Sequence, residues 1–138
     1  MRRVELFIFA FLVAGCVTYD QGYPAYGVRS AIENVSALRG ERIVVVGKVE
    51  ECWQLGCAIT ETSDGKEYRL GLGASPAFDD KMQGWLGRPV AVEADFTAGC
   101  IDPDPNDEIL IVCTDRATSL ENPRIIGSPS RLKDGIRK

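Results

Sequence analysis

Histidine is absent from this chain of 138 residues. That absence removes the side chain that most often serves as a general base and as a metal ligand. Catalytic groups that pair a serine or cysteine nucleophile with histidine are therefore excluded. Basic residues are also fewer than acidic ones, with 16 Lys and Arg against 20 Asp and Glu, so the net charge is -4. An acidic chain opposes binding to nucleic acid, which needs a basic surface.

A hydrophobic run long enough to cross a bilayer is also missing. Residues 6–14 are nine consecutive apolar residues, and as a helix they would extend about 14 Å at 1.5 Å per residue. A bilayer core needs roughly 30 Å, which argues against a transmembrane helix. The run follows Arg2 and Arg3 and ends in small residues. This arrangement predicts a secretory signal.

The end of the run, Val13-Ala14-Gly15-Cys16, resembles the lipobox of bacterial lipoproteins. In that family the chain is cut before the cysteine, and the new terminal cysteine carries the lipid. The resemblance implies that residues 1–15 are a signal peptide and that Cys16 anchors the protein in the membrane, where two acyl chains suffice for stable binding. Val17, in place of Asp, implies the periplasmic side of the outer membrane in a Gram-negative cell. A cleaved signal with an unmodified cysteine is the alternative.

Removal of the signal leaves about 120 residues, which is the usual length of a single domain. The chain is 45% hydrophobic and 26% charged, so it can bury a core. Residues 16–30 are rich in Gly, Pro and Tyr without apolar periodicity, which predicts a flexible tether. Residues 31–120 form the predicted domain. Residues 121–138 are predicted to be a flexible tail, although Ile125 and Ile126 could dock on the domain.

The domain has the pattern of a mostly β protein. A short helix or turn over residues 30–38 precedes a β-branched strand over residues 43–51, in which Gly47 suggests a bulge or bend. Strands over residues 57–62 and 67–73 flank Asp64-Gly65, a strong hairpin signal. Ser75-Pro76 predicts a helix start, with the helix over residues 76–85. Strands over residues 89–96 and 109–114 complete the order.

Three strands, a helix and two strands resemble the OB-fold, a five-stranded barrel. The residues that carry the resemblance are Leu38-x-Gly40-x-x-Ile43-x-Val45-x-Gly47-x-Val49, the later Leu86-x-Gly-x-x-Val90-x-Val92, and the turn Cys52-Trp53-x-x-Gly56-Cys57. It covers residues 38–118 and looks similar to small exported bacterial OB-fold proteins. Closing such a sheet removes exposed strand edges. A small open β-sandwich is the alternative fold.

The four remaining cysteines are an even number in an exported chain, which favours disulfides. The simplest pairing joins Cys52 to Cys57 and Cys100 to Cys113, and a cross pairing between the two loops is the alternative. The spacings C-x4-C and C-x12-C do not match the close pairs of zinc sites, so no metal is expected. A redox dithiol is a further alternative, although these cysteines form no C-x-x-C motif.

OB-folds usually bind ligands on the face of strands 2 and 3, between two loops. Here this predicts a ligand site at Trp53 and Gln54 in the first loop and at Thr60, Thr62, Tyr68 and Arg69 on the sheet. Trp53 could instead cap the barrel as a core residue. The acidic run over residues 102–108 suggests calcium, but positions six and twelve, Asp107 and Cys113, do not fit an EF-hand loop.

The sequence therefore predicts a non-enzymatic, lipid-anchored module of the cell envelope. Its expected partners are the membrane, through the lipid, and an envelope protein, peptide or small molecule; neither a nucleic acid nor a cofactor is expected. The alternative is a thiol-disulfide or metal-dependent envelope protein that uses Cys52 and Cys57. A passive spacer without a ligand is the third hypothesis.

Overall fold

The computed structural model describes residues 22–53, 56–73, 75–97 and 119–137. In these residues the strands are β1 (Ala25–Gly27), β2 (Arg42–Trp53), β3 (Gly56–Ser63), β4 (Lys66–Gly71), β5 (Pro89–Phe96) and β6 (Leu120–Gly127). The α-helices are α1 (Val28–Glu33), α2 (Val35–Leu38) and α3 (Pro76–Gln83), and a 3-10 helix covers Pro129–Arg131. The predicted strand over residues 109–114 lies outside the described residues.

The five longer strands lie in one sheet in the order β4–β3–β2–β5–β6, and every neighbouring pair in this order is antiparallel. The short β1 runs parallel to the first half of β2, where Ala25 is opposite Val44 and Gly27 is opposite Val46. The second half of β2 pairs with β3 instead. These pairings confirm the all-β class and place α3, as expected, between the third and fourth of the longer strands.

The hairpin turn and the helix N-cap that the sequence predicts are both present. Asp64 and Gly65, between β3 and β4, both have positive φ angles, 53° and 72°. Two such residues make the turn that suits the twist of a two-residue hairpin. At the start of α3, the Ser75 side chain accepts a hydrogen bond from the backbone N–H of Phe78 at 3.4 Å. This bond satisfies one of the free donors of the first helical turn.

Gly47 is needed because α1 lies directly on β2. A Cβ atom at this position would come within 2.7 Å of Val28 Cγ2 and 2.9 Å of the Thr60 carbonyl oxygen. The expected bulge lies further along the strand, because the register of β2 against β3 shifts between Val49 and Glu51. Gly47 therefore permits a close approach of the helix and is not itself the bulged residue.

The main core lies between the inner face of the sheet and the helices. Residues from α1 and α2 pack there against alternate residues of the strands, as the period of two in a β-strand requires. The buried members are Val28, Ala31, Val35, Leu38, Ile43, Val45, Val49, Cys57, Ile59, Leu70, Leu72, Met82, Val90, Val92, Ala94, Phe96 and Leu120. We call this set the main core.

The outer strands of the sheet, β4 and β6, meet at one position. Leu72, just after β4, forms a parallel bridge with Leu120 at the start of β6. The N–H of Ser119 donates to the Gly71 carbonyl at 3.0 Å, and the N–H of Gly73 donates to the Leu120 carbonyl at 2.8 Å. At this one position, backbone hydrogen bonds link the end of β4 to the start of β6.

The expectation of a flexible tail over residues 121–138 is wrong for most of that segment. Residues Leu120–Gly127 form β6, which pairs with β5. Ile125 packs against the main core, whereas Ile126 packs on the other face of the sheet against Ala25, Val44, Ala91 and Leu132. The adjacent isoleucines face opposite sides of one strand, and both sides are covered. We call Ala25, Val44, Ala91 and Leu132, with Val46 and Ile126, the second cluster.

The expectation of a tether over residues 16–30 is also wrong for residues 25–30. Ala25–Gly27 belong to the sheet as β1, and α1 begins at Val28. The N–H of Val44 donates to the Pro24 carbonyl at 2.9 Å, and Ala25 is almost fully buried. Short segments without apolar periodicity can still join a sheet through their backbone groups, which composition does not show.

Candidate functional site

The predicted ligand residues on the sheet do not all share one face. Thr60 is directly opposite Arg69 in the β3–β4 register, and Glu61 is opposite Tyr68. Directly paired residues share a face of the sheet, and successive residues alternate. Thr60, Thr62 and Arg69 therefore lie on the outer face, whereas Tyr68 lies on the inner face, where it packs against the main core. The alternation of Tyr68, Leu70 and Leu72 is the sequence signal that separates Tyr68 from Arg69.

Other predicted site residues fall beyond what the structure describes. Trp53 ends β2 opposite Gly56, but its side chain and the whole of Gln54 lie outside the described part. The same is true of Cys16, Cys100, Cys113 and residues 102–108. The ligand role of the first loop and the second disulfide therefore stay predictions.

A groove of about 870 Å³ lies where β1 ends and β3 begins to pair along the same edge of β2. Thr60 and Thr62, both predicted as ligand residues, line it from β3. The groove also contains residues that the sequence did not indicate. They come from the N-terminal turn of α1, from β2 and from the end of the described chain, and include Arg29, Ser30, Val46, Lys48, Glu50, Ile136 and Arg137.

Glu61 of β3 contacts the first turn of α1, which forms one wall of the groove. The backbone N–H of Arg29 donates to Glu61 Oε2 at 2.9 Å, and a Cβ atom at Gly27 would come within 2.8 Å of the same oxygen. The carboxylate therefore satisfies a free donor of the first turn of α1. Beside it, the hydroxyl oxygen of Ser30 is buried and has no hydrogen-bond partner within the described residues.

The guanidinium of Arg29 is fixed between α1 and the β3–β4 turn. Its Nε lies 2.7 Å from Glu33 Oε1, and its Nη1 lies 2.8 Å from Ser63 Oγ and 2.6 Å from Asp64 Oδ2. It also lies over the ring of Tyr68, 5.7 Å from the ring centre. Hydrogen bonds to Glu33 and then to Asp64 raise the pKa of Arg29. Arg29 therefore places a permanent positive charge at the groove.

A separate polar network lies on the outer face of β5. The buried carboxylate of Glu93 contacts Arg42 Nε at 2.9 Å and Arg124 Nη2 at 2.7 Å. Arg42 also contacts Asp95 at 2.9 Å. A hydrogen bond from Asn122, followed by one from Arg42, lowers the pKa of Asp95. Because a buried carboxylate is costly unless it is paired, this network explains how β5 tolerates Glu93.

A disulfide joins Cys52 on β2 to Cys57 on β3, as the simplest pairing predicts. The two cysteines are directly opposite each other at the hairpin. Cys57 is buried, at 3% exposure, whereas Cys52 is only partly buried. The carboxyl oxygen Oδ1 of Asp79 on α3 lies 3.7 Å from Cys57 Sγ. Burial, and then the charge of Asp80, raises the pKa of Asp79.

The contact between Asp79 and Cys57 was not visible in the sequence. Asp79 sits early in α3, where a carboxylate is favoured by the helix dipole, and that role explains an acidic residue without any further partner. The two residues are 22 positions apart. Only the packing of α3 against β2 and β3 brings them together.

The described part of the chain contains no set of side chains that could form a metal site. No group of three or more Cys, Asp or Glu side chains there could hold a metal ion. The alternative in which Cys52 and Cys57 serve a metal-dependent protein therefore stays a prediction, and the described residues supply no further ligands for it.

Among the helices that the structure describes, none has the length and apolar character needed to span a membrane.

No protein-family model, curated protein or solved structure matches this chain. Any function must therefore be argued from the residues of the groove, the disulfide and the N-terminal sequence themselves.

Proposed function

We propose that this protein is a lipid-anchored binding module of the bacterial cell envelope, without enzymatic activity. The anchor rests on Arg2 and Arg3, the apolar residues 6–14 and the lipobox-like Val13-Ala14-Gly15-Cys16. Cys16 carries the lipid, and the domain lies on the periplasmic side of the outer membrane in a Gram-negative cell. The disulfide between Cys52 and Cys57 supports an oxidising compartment.

The fold that we propose for the module is an OB-fold-like barrel formed by β2 to β6. In it β6 is the fifth strand, whereas the sequence placed that strand at residues 109–114. Its support is the strand order β4–β3–β2–β5–β6, with α3 between β4 and β5. The bridge between Leu72 and Leu120 supports closure, because it joins the two outer strands in parallel. A closed sheet leaves no free edge for aggregation.

The groove between β1 and β3 is the observation that carries the binding function. Its volume of about 870 Å³ falls in the range of roughly 300–1,000 Å³ that is usual for ligand sites. It combines apolar walls at Val46 and Ile136 with charged residues and the hydroxyls of Thr60 and Thr62.

The groove chemistry favours a peptide or small molecule that carries charged and apolar groups together. Arg137 can bind negative groups, and the Lys48–Glu50 pair and Glu33, which pairs with Arg29, place further charged atoms at the groove. A purely apolar ligand would remove these charged groups from water without replacing the lost hydration, which is unfavourable.

The anchor is tested on the chain recovered from the membrane fraction. Mass spectrometry should find a chain that begins at an acylated Cys16, and Cys16→Ala should leave the protein uncleaved or unacylated. An intact Met1 terminus on soluble cytosolic protein would contradict the anchor and the oxidising compartment together.

The groove is tested by photo-crosslinking in intact cells. A photoreactive amino acid replaces the exposed Thr62 in the groove, and the matched control carries it at Ser36, an exposed residue of α2 that does not line the groove. We expect an adduct of defined mass from position 62 and none from position 36. The same adducts from both positions, or none from either, would favour the passive spacer.

A further inference from the structure

The disulfide between Cys52 and Cys57 has two unlike sulfur environments. Cys57 is buried in the main core, 3% exposed, whereas Cys52 packs against that core only in part. The carboxyl group of Asp79 contacts Cys57 Sγ at 3.7 Å, and the main-chain carbonyl of Asp79 lies 4.0 Å from the same sulfur. The two cysteines therefore differ both in access and in the charge beside them.

We propose that this disulfide is a site of directional thiol exchange, in which an external thiolate attacks Cys52 and the Cys57 sulfur leaves beside Asp79. A thiolate of a dithiol reductant forms a new bond to Cys52 Sγ. The bond between Cys52 and Cys57 breaks, and Cys57 Sγ takes the electron pair. Attack by the second thiolate then releases Cys52 and oxidises the reductant to its disulfide, so two electrons pass to the protein.

Access determines the direction, because exchange requires the incoming sulfur to reach the sulfur that it attacks. Cys57 is enclosed by the main core and by α3, so a bulky thiol cannot approach it without opening the fold. Cys52 lies one pair before the end of the hairpin, where Trp53 is opposite Gly56, and it keeps part of its surface. Exchange at Cys52 needs no such opening.

Asp79 controls the departure of the Cys57 sulfur. A protonated carboxyl group can give its proton to the Cys57 thiolate, whereas an ionised one repels the thiolate and slows its release. The neighbouring Asp80 is the charged group on α3 that acts on Asp79. The described charged side chains of β2, against which α3 packs, all have other partners: Arg42 contacts Glu93 and Asp95, and Lys48 and Glu50 pair with each other at 3.2 Å. On β3, Glu61 accepts from the N–H of Arg29, and Cys57 is the residue in contact with Asp79.

The direction is tested on the oxidised full-length protein. Brief treatment with glutathione, followed by alkylation and fragmentation of the peptide that contains both cysteines, identifies the sulfur that was attacked. We expect glutathione on Cys52 and the alkyl group on Cys57. Glutathione on Cys57, equal labelling of both, or no adduct from folded protein would overturn the proposal.

The role of Asp79 is tested with two variants of equal charge, Asp79→Asn and Asp80→Asn. Asp80 is exposed on the same helix and does not contact the sulfur. The rate of reduction by dithiothreitol, expressed per thiolate, is measured against pH. Above the pKa of Asp79 we expect Asp79→Asn to react roughly three- to tenfold faster than wild type, because a thiol of lower pKa leaves faster.

The pH profile gives a readout that a structural role would not change. The wild-type and Asp80→Asn rates should rise as the pH falls through the pKa of Asp79, whereas the Asp79→Asn rate should stay level. Equal rates for the two variants at every pH would overturn the role of Asp79. The adduct mapping uses wild-type protein, so it decides the direction of exchange even when a variant does not fold.

Discussion

The main core and the second cluster lie on opposite faces of the same sheet but are assembled in different ways. The main core takes its residues from strands that alternate inward and outward, and from helices directly before them. The second cluster joins Ala25, near the start of the described chain, to Leu132, near its end. Local patterns therefore identify most of the main core, although not Val28, whereas the second cluster forms only when segments remote in sequence meet.

The clusters also differ in the size of what they bury. Phe96, Ile43 and Ile59 are among the large side chains of the main core that are fully buried. In the second cluster, two of the buried members are alanines, and Leu132 keeps 9% of its surface. Because hydrophobic stabilisation follows buried apolar area, the main core should supply most of the stability.

Truncation of Phe96 tests the main core and should have the largest effect. Phe96 has no exposed surface, so Phe96→Ala leaves a large cavity that the surrounding strands cannot fill. We expect a loss of about 3–5 kcal/mol in the free energy of unfolding. Urea denaturation measures it, and a loss below about 1 kcal/mol would show that the main core is loosely packed.

A methyl group at Gly47 tests the contact between α1 and the sheet. In Gly47→Ala the added Cβ meets Val28 and the backbone of Thr60, and such overpacking should cost about 1–3 kcal/mol in unfolding free energy. The double variant Val28→Ala/Gly47→Ala provides the control. Its loss should be smaller than the sum of the two single losses, because the shorter side chain makes room for the methyl group. Simple additivity would contradict the close approach.

Truncation of Leu132 tests the second cluster. Leu132→Ala should lower the free energy of unfolding by about 2 kcal/mol, the lower end for buried leucine, because its neighbours are few and small. Thermal unfolding, compared directly with that of Phe96→Ala, measures the difference. A loss equal to that of Phe96→Ala would mean that both faces of the sheet contribute alike.

Asp79 on α3 and Asp95 on β5 should change the stability of the protein in opposite directions with pH. These are the smallest of the expected effects. Burial raises the pKa of Asp79, so its contribution to stability is full at low pH and is lost as the pH rises through the raised pKa. The pKa of Asp95 is lowered, so its contribution is present above the ordinary aspartate pKa, about 4, and is lost as the pH falls through the lowered value.

Melting temperatures between about pH 3 and pH 8 measure both effects around that ordinary pKa. At neutral pH, Asp79→Asn should be more stable than wild type and Asp95→Asn less stable. Both differences should shrink in acid, and Asp80→Asn serves as the charge control. Differences of the same sign for the two variants at neutral pH would contradict the assigned pKa shifts.

The sequence predicts those features that depend on neighbouring residues. The β-branched run at the start of β2, the Asp64-Gly65 turn and the Ser75 cap are local signals, and each forms as expected. The Cys52–Cys57 pair follows from a spacing that fits across one hairpin.

Features that depend on distant residues were missed. β6 contains Asn122 with a positive φ angle and Pro123, both unfavourable in an isolated strand, and it forms because β5 supplies a partner. The alternating pattern of β5 predicts that Glu93 faces outward. Its burial, however, depends on pairing with Arg42 and Arg124, which are 51 and 31 positions away. The groove likewise combines α1, β2, β3 and the last described residues, so no single segment of sequence marks it.

The bridge between Tyr26 and Arg137 brings the first strand and the last described residues together beside the groove. Only eight residues separate Cys16 from Ala25, and a fully extended stretch of that length covers at most about 30 Å. With the lipid on Cys16, as we propose, the mouth of the groove stays near the bilayer surface. A ligand would then be met close to the headgroups, and bulky partners would have to approach along the membrane.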